Sequence, residues 1–553
     1  MSGEGAKAAG NVAGAVVQRA ADHPEQTAVR VPRRAGGGIA FTDESFRSWE
    51  QKVRAAEARL GRQGIGKGTR VLVLARPGLE LLTAVFALLW RGAVPVVIDA
   101  GMGRRRFLAC VQRSRPEAVV GIPLALALSR LFPRPFATVR ARCSTRALLR
   151  PDTSPPDPAA RPVPVAPDDP VALLFTSGST GPAKGVVYRS RHLAAQLEAL
   201  RAAFSIEEGE VDFPMLPVFA LFNPALGMTT VIPPMHPARP ARADGRLLLE
   251  VMAAAGVTNS FGSPVLWRKL ARAGTAEEAP TVPSLRRMLA AGAAVPPDLV
   301  GELRPVFPQA QLYSPYGATE ALPLTLIDGD SIERGAEATR EGRGVCVGRP
   351  LPRVDLRILP VAGETLAPAD LDRPEPPGTI GEIVVSGPVV TAEYDALPEA
   401  TRRSKVGGPD GRLWHRMGDA GYLDGEGRLW FVGRVAERVV LDDGAVLYTE
   451  CVEQIFLRHP RVERCALLGI GPAAHRTPAL VVQPVEGAYP RSETDLATWK
   501  RELRELAEAH PAAGAVRHFF FRRSFPVDPR HNAKIHRLAM AREYYAHGWH
   551  PTE

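Results

Sequence analysis

A short apolar run that ends in a loop of small polar residues constrains this chain more than any other stretch. Residues 171–175 read VALLF and predict a short buried strand. The loop that follows offers hydroxyls, unhindered backbone amides and, at Lys184, a positive charge, a combination that suits a polyphosphate. Its residues are Thr176, Ser177, Gly178, Ser179, Thr180 and Gly181. Pro182 and Ala183 then interrupt the pattern, so no helix is expected directly after it, unlike in a GxxxxGK[ST] loop.

Taken alone, a loop of this composition is more often a flexible surface turn. The complete string TSGSTGPAKGV, residues 176–186, resembles the phosphate-loop signature of the adenylate-forming (ANL) superfamily. That superfamily includes acyl-CoA synthetases, peptide-synthetase adenylation domains and beetle luciferases. The choice between the two interpretations depends on whether the family's other motifs follow in order.

Length and composition bound the class of protein. A chain of 553 residues is too long for one core and predicts roughly three or four structural units. Its apolar content of 45% and charged content of 23% are typical of an ordinary globular protein rather than a disordered one. The five cysteines are scattered and show no CxxC spacing. The sequence therefore indicates neither a zinc site nor a disulfide framework.

The net charge of +10 raises the question of nucleic-acid or anionic-membrane binding. The positive residues are nearly all Arg and are interpreted as dispersed among acidic residues, which argues against a nucleic-acid partner. Residues 1–24 contain no apolar core of the signal-peptide type, and no run reaches the ~20 apolar residues of a spanning helix. We therefore expect a cytoplasmic protein without a transmembrane segment, and peripheral membrane association stays open.

Alternating strand and helix patterns predict an α/β fold. Residues 71–75 and 94–98 read as buried strands with a helix over 80–89 between them, which implies a parallel layer. A second unit of the same kind follows in residues 107–119. The Pro-rich stretch 150–170 is expected to be an extended linker before the phosphate loop.

A second motif, LYSPYGATEALP, occupies residues 312–323. Tyr316 offers a flat face for adenine, Thr319 a hydroxyl for phosphate, and Glu320 a carboxylate suited to Mg²⁺. By itself the stretch fits a loop with a capping Thr and an exposed Glu, but it follows the phosphate loop in family order. The resemblance also implies that Gly317 belongs to the nucleotide site. It assigns the turn at Gly292 and Ala293, where small residues let the backbone approach, to adenine.

A third motif, WHRMGDAGYLDGEGRLWFVGR, spans residues 414–434 and contains a hairpin, DGEGRLWF. Asp419 is expected to accept hydrogen bonds from the ribose diol, with Arg434 against ribose or the α-phosphate. The Gly-punctuated, alternating stretches 348–358 and 378–394 predict a small β-barrel.

Beyond Arg434 the family has a hinge followed by a smaller C-terminal domain. Most members carry Asp or Lys two residues after this Arg, whereas this chain has Ala436. The chain ends in a polar loop, FPVDPRHNAKIHR, residues 525–537, that contains Lys534. The resemblance implies that Lys534 bridges the carboxylate and the α-phosphate during adenylation, where preorganised charge is most effective. The alternative is a solvated surface lysine.

The resemblance covers residues 45–540 and implies the ANL adenylating fold. We expect a large N-terminal domain, residues 1–434, made of two α/β subdomains and the small β-barrel, and a mobile α+β domain, residues 435–553. The implied reaction joins a carboxylate to ATP, giving an acyl-adenylate and pyrophosphate. Lys184 and the 176–180 loop are expected to hold the β- and γ-phosphates, and Glu320 with Thr176 to hold Mg²⁺.

The segment FPMLPVFALFNPALG, residues 213–227, lies where family members usually line the acyl site. Aligned on its proline, the usual His falls at Ala220, so no polar group remains there. Its large apolar side chains are interpreted mainly as core, with some available to wall an apolar tunnel. They are Phe213, Phe219 and Phe222, together with Met228 just beyond it.

Three departures from ordinary CoA ligases concern the acceptor of the acyl group: Ala436, Ala220 and the sequence LYTE at residues 447–450. With YGATEALP and the 525–537 loop, they resemble the β-lactone synthetases of bacterial long-chain olefin biosynthesis. There the substrate is a long-chain 2-alkyl-3-hydroxy acid whose own hydroxyl attacks the adenylate, and other pathway enzymes are possible partners. Two alternatives stay open: ligation to CoA or an acyl carrier protein, and a non-enzymatic nucleotide binder.

Overall fold

The computed structural model describes residues 11–150, 159–175, 183–236, 239–361, 363, 365–472, 475–527 and 535–547, without the side chains of residues 100 and 241. The chain opens with helix α1 (Gly14–Asp22), the hairpin β1 (Thr27–Ala35) and β2 (Gly38–Ser45), and helix α2 (Phe46–Arg62). Among the described residues, no helix is both long and apolar enough to cross a bilayer.

The first α/β subdomain is a six-stranded sheet in the order β6-β5-β3-β4-β7-β8. All its neighbouring strands are parallel except β7 and β8, which run antiparallel. Its strands are β3 (Arg70–Leu74), β4 (Val94–Val97), β5 (Ala118–Gly121), β6 (Ala141–Ser144), β7 (Pro170–Phe175) and β8 (Gly185–Arg189). Its helices are α3 (Leu79–Trp90), α4 (Arg104–Ser114), α5 (Pro123–Leu131) and α6 (Thr145–Leu148). The predicted strand–helix–strand unit is thus present, and the apolar helix α3 is buried along most of its length.

The second subdomain is built on a larger sheet, in which β1, β10, β9, β11, β12 and β13 are parallel neighbours. Its further strands are β9 (Val211–Pro214), β10 (Thr229–Val231), β11 (Asn259–Gly262), β12 (Arg287–Ala290), β13 (Gln311–Ala318), β14 (Ala321–Asp328) and β15 (Val345–Pro350). Its helices are α7 (Ser190–Phe204), α8 (Asn223–Leu226), α9 (Gly245–Ala255), α10 (Pro264–Gly274), α11 (Pro297–Leu303), α12 (Gly329–Arg334) and α13 (Ala336–Ala338). Its core includes Trp267 and Phe213, both fully buried.

The two stretches predicted as a β-barrel, residues 348–358 and 378–394, contribute to an antiparallel region that continues this sheet edge to edge through β14 and β15, and the strands beyond β15 include three from later in the chain. The strands beyond β15 are β16 (Asp355–Leu359), β17 (Gly381–Ser386), β18 (Lys405–Gly407), β19 (Leu413–Leu423) and β20 (Leu429–Arg434), with helix α14 (Pro398–Ser404) between them. The predicted hairpin is formed by β19 and β20, and Asp419 lies directly opposite Arg434 in its register.

The C-terminal part has its own core around Trp499, Phe456 and Leu480. Strands β23, β24 and β25 form one sheet, and β21 and β22 form a short ribbon. The strands are β21 (Val439–Val440), β22 (Val446–Leu447), β23 (Val462–Ile470), β24 (Thr477–Pro484) and β25 (His518–Phe521), and the helices are α15 (Thr449–Phe456), α16 (Glu493–Glu508) and α17 (Arg537–Ala546). A separate core is consistent with the predicted second domain, although the boundary at residue 434 stays a prediction.

Candidate active site

The phosphate-loop motif lies between strands β7 and β8 of the first subdomain. Strand β7 ends at Phe175 and β8 begins at Gly185, so the motif joins two strands and no helix follows it, as predicted. The predicted phosphate ligands of this loop, residues 176–181, lie outside the described residues together with residue 182. Lys184 is described and is half-buried at the start of β8.

Lys184 and Glu320, which the sequence places 136 positions apart, meet at Tyr394. The Lys184 Nζ lies 4.6 Å from the centre of the Tyr394 ring. The Tyr394 phenol donates a hydrogen bond to Glu320 Oε1 at 2.8 Å. Burial lowers the pKa of Lys184, and the nearby Glu320 carboxylate partly opposes that effect. Glu320 is therefore held by Tyr394 on the side that faces the lysine of the phosphate-loop motif.

The YGATE segment is fixed from several sides through its backbone. Tyr188 Oη donates a hydrogen bond to the Thr319 carbonyl at 2.7 Å. The Glu320 carbonyl accepts from both the backbone N–H and the hydroxyl of Thr391, each at 2.9 Å. A Cβ at Gly317 would lie 2.6 Å from the Ala321 carbonyl oxygen, so this tight turn from β13 to β14 requires glycine. These contacts position the Glu320 carboxylate without using its oxygens.

Asp419 is only 4% exposed and is held by two partners. The Tyr316 phenol donates to its Oδ2 at 2.6 Å, and Arg434 Nε lies 3.0 Å from its Oδ1. Within the described part of the chain, Oδ1 makes no hydrogen bond that meets normal angular criteria. A buried carboxylate oxygen with unused acceptor capacity fits a ligand hydroxyl, such as that of ribose.

Arg434 interacts electrostatically both with Asp419 and with the pair Lys184 and Glu320. The Asp419 carboxylate is the main cause of its raised pKa, and Glu320 adds to the effect from a greater distance. The positive charge of Arg434 in turn contributes to the lowered pKa of Lys184. Lys184, Glu320, Asp419 and Arg434 therefore lie within electrostatic reach of one another and form one connected group of charges.

The predicted adenine turn follows strand β12. Gly292 has a φ of +95°, a left-handed conformation that favours glycine. The Ala291 N–H donates to the Gly262 carbonyl of the neighbouring strand β11 at 3.1 Å. Ala293 follows and is half-buried. The structure thus places this turn after a parallel strand adjacent to β13, which leads into the YGATE segment.

Lys405 and His415 are two buried residues of this region that the sequence analysis missed. They lie opposite each other on β18 and β19. Lys405 is 8% exposed, and its Nζ has no hydrogen-bond partner among the described residues. Burial lowers the pKa of Lys405 to about 7, with Glu320 opposing and Lys184 reinforcing the shift. The pKa of His415 also lies well below its usual value. The main cause is burial of the ring, and the second is the positive charge of Lys405.

A small, mainly apolar cavity of about 50 Å³ lies beside the turn between β13 and β14. Phe219, Phe222 and Met228 line it, whereas Phe213 is core; a tunnel for an acyl chain stays a prediction. The Phe219 and Phe261 rings stack at 3.7 Å between centres. Four polar residues also line it, Gln196, Asp212, Asn223 and Asn259. The buried Asp212 carboxylate accepts hydrogen bonds from both asparagines. Burial raises the pKa of Asp212 to about 6.

The segment that carries Lys534 lies outside the described residues, but Arg537, three positions later, is described. Its Nε and Nη2 donate to the two oxygens of Glu453 at 2.8 and 2.6 Å. Its Nη1 donates to Glu437 at 3.2 Å. Glu437 belongs to the short turn that contains Ala436, directly after Arg434. The end of the Lys534 segment is therefore fastened to the predicted hinge, a link that the sequence analysis did not foresee.

A family model described as AMP-binding enzyme matches residues 16–395. The chain belongs to the AMP-binding enzyme family. Two curated proteins named olefin beta-lactone synthetase, from Xanthomonas campestris pv. campestris and Stenotrophomonas maltophilia, are each 41% identical to it over 96% of this chain and 97% of their own length. A feruloyl-CoA synthase from an Amycolatopsis species is 29% identical over 88% of this chain and 91% of its own length. The resemblance stated from the motifs is confirmed.

Solved structures of two other adenylate-forming enzymes share the fold of this AMP-binding enzyme. An amide bond synthetase from Marinactinospora thermotolerans superposes with a TM-score of 0.75 at 23% identity, covering 96% of this chain and all of its own. An O-succinylbenzoate coenzyme A synthetase from Bacillus subtilis gives 0.74 at 20% identity, covering 95% and 97%. The predicted fold class is confirmed, while the roles of individual site residues stay predictions.

Proposed function

We propose that this AMP-binding enzyme is an AMP-forming β-lactone synthetase of long-chain olefin biosynthesis. It adenylates a long-chain 2-alkyl-3-hydroxy acid and closes the β-lactone with the acid's own hydroxyl, releasing AMP and pyrophosphate. The observation that carries the proposal is the 41% identity, over nearly the full length of both chains, to proteins named for that activity. The connected group of charges formed by Lys184, Glu320, Asp419 and Arg434 supports the adenylating half.

In the first step, a carboxylate oxygen of the substrate attacks the α-phosphorus of ATP. The bond between that phosphorus and the bridging oxygen to the β-phosphate breaks, and pyrophosphate leaves with its electron pair. Lys184 and the hydroxyl-rich loop of residues 176–180 hold the β- and γ-phosphates, and Lys534 places its charge between the carboxylate and the α-phosphate. The half-buried position of Lys184 strengthens its interaction with an anion.

The residues present fit both ATP and Mg²⁺. Asp419 Oδ1 offers acceptor capacity to the ribose, Tyr316 contributes its aromatic face, and the turn at Gly292 and Ala293 lets the backbone approach adenine. Glu320 would supply a carboxylate and Thr176 a hydroxyl to hold the metal. Bound Mg²⁺ neutralises phosphate charge. The structure of the O-succinylbenzoate coenzyme A synthetase in complex with ATP and a magnesium ion supports this assignment.

In the second step, the 3-hydroxyl oxygen attacks the adenylated carbonyl carbon. A new C–O bond closes the four-membered ring, the bond from the carbonyl carbon to the phosphate oxygen breaks, AMP leaves, and the hydroxyl proton is released. Because nucleophile and electrophile belong to one molecule, orientation alone contributes roughly 7 to 11 kcal/mol. The apolar side chains of Phe219, Phe222 and Met228, which line one cavity, offer contact surface to an alkyl chain of such a substrate.

One incubation tests the proposal. The purified protein is mixed with ATP, Mg²⁺ and a long-chain 2-alkyl-3-hydroxy acid, with and without CoA, and products are separated by mass spectrometry. We expect lactone and AMP in both mixtures. A thioester formed only when CoA is present would overturn the lactone proposal in favour of a CoA ligase. No AMP from any carboxylate would instead indicate a nucleotide binder without this activity.

The assigned role of Lys534 is tested separately. Lys534→Ala should abolish ATP–pyrophosphate exchange while AMP binding by calorimetry is retained. Lys500→Ala is the matched control, because Lys500 is an exposed lysine of the same C-terminal part. Full exchange in Lys534→Ala would refute the assigned role.

A further inference from the structure

Residues 100–150 carry as much net positive charge as the entire chain. The stretch contains eleven arginines, no lysine and a single acidic residue, Glu117, so its formal net charge is +10, which is also the total for all 553 residues. The rest of the chain is therefore neutral overall. The sequence analysis described the positive residues as dispersed among acidic ones, and that description is wrong for this stretch.

None of these arginines forms an ion pair with another described residue, although ion pairs of arginine are common elsewhere in the protein. Two of them are half-buried and have hydrogen-bond partners, Arg113 at the Ala183 carbonyl and Arg142 at Ser129. The remaining nine are exposed. They are Arg104, Arg105, Arg106, Arg115, Arg130, Arg134, Arg140, Arg146 and Arg150. A surface with this much uncompensated charge attracts a polyanion or an anionic interface.

Exposed leucines lie within the same stretch, on helix α5. Leu124 is 65% exposed, Leu128 43% and Leu131 69%, while Leu126 of the same helix is buried. The spacings of four and three place the three exposed leucines along one face of the helix. They are three of only eight large apolar side chains that are strongly exposed among the described residues. A row of leucines facing solvent indicates contact with an apolar medium.

The arginines of α4 and α5 and the exposed leucines belong to one side of the first subdomain. Helix α6, which carries Arg146, packs with α3 in the core cluster on the other side of the sheet. Helices α4 and α5 pack into the same core cluster, to which α4 contributes Cys110 and Val111 and α5 contributes Leu126. Arg130 on α5 is near enough to Arg142 on β6 for its charge to help lower the pKa of Arg142, after the larger effect of burial. Strand β6 is the edge strand of the six-stranded sheet. The surface formed by α4, α5 and β6, here called the α4–α5 face, therefore combines basic and apolar groups.

We propose that the α4–α5 face docks on an anionic lipid membrane, with its leucines inserted among the acyl chains and its arginines on the headgroup phosphates. Apolar insertion and attraction to anionic lipid act together in peripheral membrane binding. A nucleic acid matches the arginines but leaves the leucines without a role. The proposal goes beyond the lactone chemistry, and docking would bring the enzyme to the bilayer, where a substrate with long alkyl chains partitions.

Flotation of the full-length protein with large unilamellar vesicles tests the proposal. One set of vesicles contains phosphatidylcholine alone and the other contains phosphatidylcholine with phosphatidylglycerol. We expect binding to the anionic vesicles that weakens as salt is raised, because attraction to surface charge is screened. The triple variant Leu124→Ser, Leu128→Ser, Leu131→Ser should bind about tenfold less lipid, and so should Arg104→Gln, Arg105→Gln, Arg106→Gln.

A control variant changes exposed apolar residues elsewhere. Val440→Ser with Leu457→Ser alters side chains that are 44% and 40% exposed in the C-terminal part, and its lipid binding should equal that of the unmodified protein. Circular dichroism and Tm establish that all variants are folded. Equal binding by the leucine variant, or no binding of the unmodified protein to anionic vesicles, would overturn the proposal. Binding to an oligonucleotide that does not depend on the leucines would indicate a nucleic acid instead of a membrane. Dimerisation that is lost in the leucine variant would indicate a second copy of the chain.

Lactone formation from detergent-dispersed substrate separates this proposal from the proposed function. The leucine and arginine variants should retain that activity, since none of their altered side chains forms a hydrogen bond or ion pair with a described residue of the candidate active site. An unmodified protein that makes no lactone but still floats with anionic vesicles would overturn the proposed function and leave the membrane surface supported. Normal lactone formation without vesicle binding would support the proposed function and overturn the membrane proposal.

Discussion

The phenol of Tyr316 donates a hydrogen bond to Asp419 Oδ2 at 2.6 Å, joining two motifs that are 103 positions apart in the chain. The sequence motifs predict that Tyr316 provides a flat surface for adenine and that Asp419 accepts hydrogen bonds from ribose, but they do not predict a contact between the two residues. The hydrogen bond makes the tyrosine a positioning group for the carboxylate as well. With Arg434 Nε 3.0 Å from Oδ1, the carboxylate is oriented from both sides.

Tyr316→Phe should therefore weaken nucleotide binding while keeping the aromatic face. A hydrogen bond to a charged acceptor contributes about 1.5 to 3 kcal/mol, and we expect about a tenfold rise in the Kd for AMP by calorimetry. Tyr313→Phe is the control, because the Tyr313 phenol donates to Gln311 at the surface. An unchanged Kd in Tyr316→Phe would show that Asp419 is oriented without the phenol.

Tyr394→Phe should raise the Mg²⁺ concentration that the reaction requires and leave the binding of adenine unchanged. The variant removes the only side-chain hydrogen bond to the Glu320 carboxylate found among the described residues. A less well-oriented carboxylate binds Mg²⁺ less tightly, because partners of a ligand fix its geometry. We expect the Mg²⁺ concentration for half-maximal pyrophosphate exchange to rise about tenfold, with the Kd for AMP unchanged.

Tyr422→Phe provides the comparison for this experiment. The Tyr422 phenol donates to the Arg343 carbonyl, away from Glu320. Its Mg²⁺ dependence should match that of the unmodified protein. If Tyr394→Phe behaves in the same way, Glu320 does not depend on Tyr394 for its orientation.

Local patterns were enough to predict much of this fold. The apolar run before the phosphate loop forms β7, and the alternation around residues 71–98 gives β3, α3 and β4 because burial on a parallel sheet requires such runs. The motifs also identified Lys184, Glu320 and Asp419, which the fold brings into one connected group of charges. These elements are predictable because each is encoded within about a dozen consecutive residues.

Contacts between distant segments were not predictable in the same way. Tyr394 is 74 positions from Glu320, and nothing in the spacing indicates that the two side chains meet. Lys405 lies in the polar string RRSKVGG and reads as a surface residue, since only the pairing of β18 with β19 buries it. The arginines of residues 100–150 were visible in the sequence, but charge averaged over the whole chain concealed them.

Lys405→Met should stabilise the protein at neutral pH. Burial lowers the pKa of Lys405 from 10.5 to about 7. The negative charge of Glu320 opposes this shift, and the positive charge of Lys184 adds to it. Two histidines, His192 and His415, also lie near the amine. Between pH 7 and 10.5 the unfolded chain binds more protons than the folded one, so the free energy of unfolding rises with pH. The loss of folding stability caused by the buried, charged lysine is thus fully present below pH 7 and disappears toward pH 10.5.

The measurement is Tm as a function of pH for Lys405→Met and the unmodified protein. The variant should melt about 2 to 6 °C higher at neutral pH, and the difference should shrink as pH rises. Lys500→Met, at an exposed position on α16, should show no such pH-dependent gain. A lower Tm in Lys405→Met at neutral pH would mean that the buried amine is stabilising, which contradicts the lowered pKa.

Arg537→Lys should impair adenylation without affecting AMP binding. The Arg537 side chain is 13% exposed and uses three nitrogens on two carboxylates, one on α15 and one in the turn after Arg434. Lysine keeps the charge but cannot reproduce the planar fork, so the Lys534 segment loses its fixed attachment to the hinge. We expect kcat for pyrophosphate exchange to fall about tenfold or more, because small displacements of a catalytic group are costly.

Three measurements distinguish this effect from a general loss of folding. AMP affinity reports the site around Asp419 and should stay unchanged. Tm and limited proteolysis report the stability of the C-terminal core. Because lysine keeps the charge, the loss of stability should stay below about 3 to 5 kcal/mol, which is what removal of one partner of a buried pair costs. Arg517→Lys is the control, since Arg517 pairs with Glu508 at the surface. If Arg537→Lys lowers AMP affinity as much as it lowers kcat, the guanidinium supports the whole nucleotide site rather than the position of Lys534. If kcat is unchanged, the segment is positioned by other contacts, because the loss of a bidentate attachment would then have no consequence for the reacting atoms.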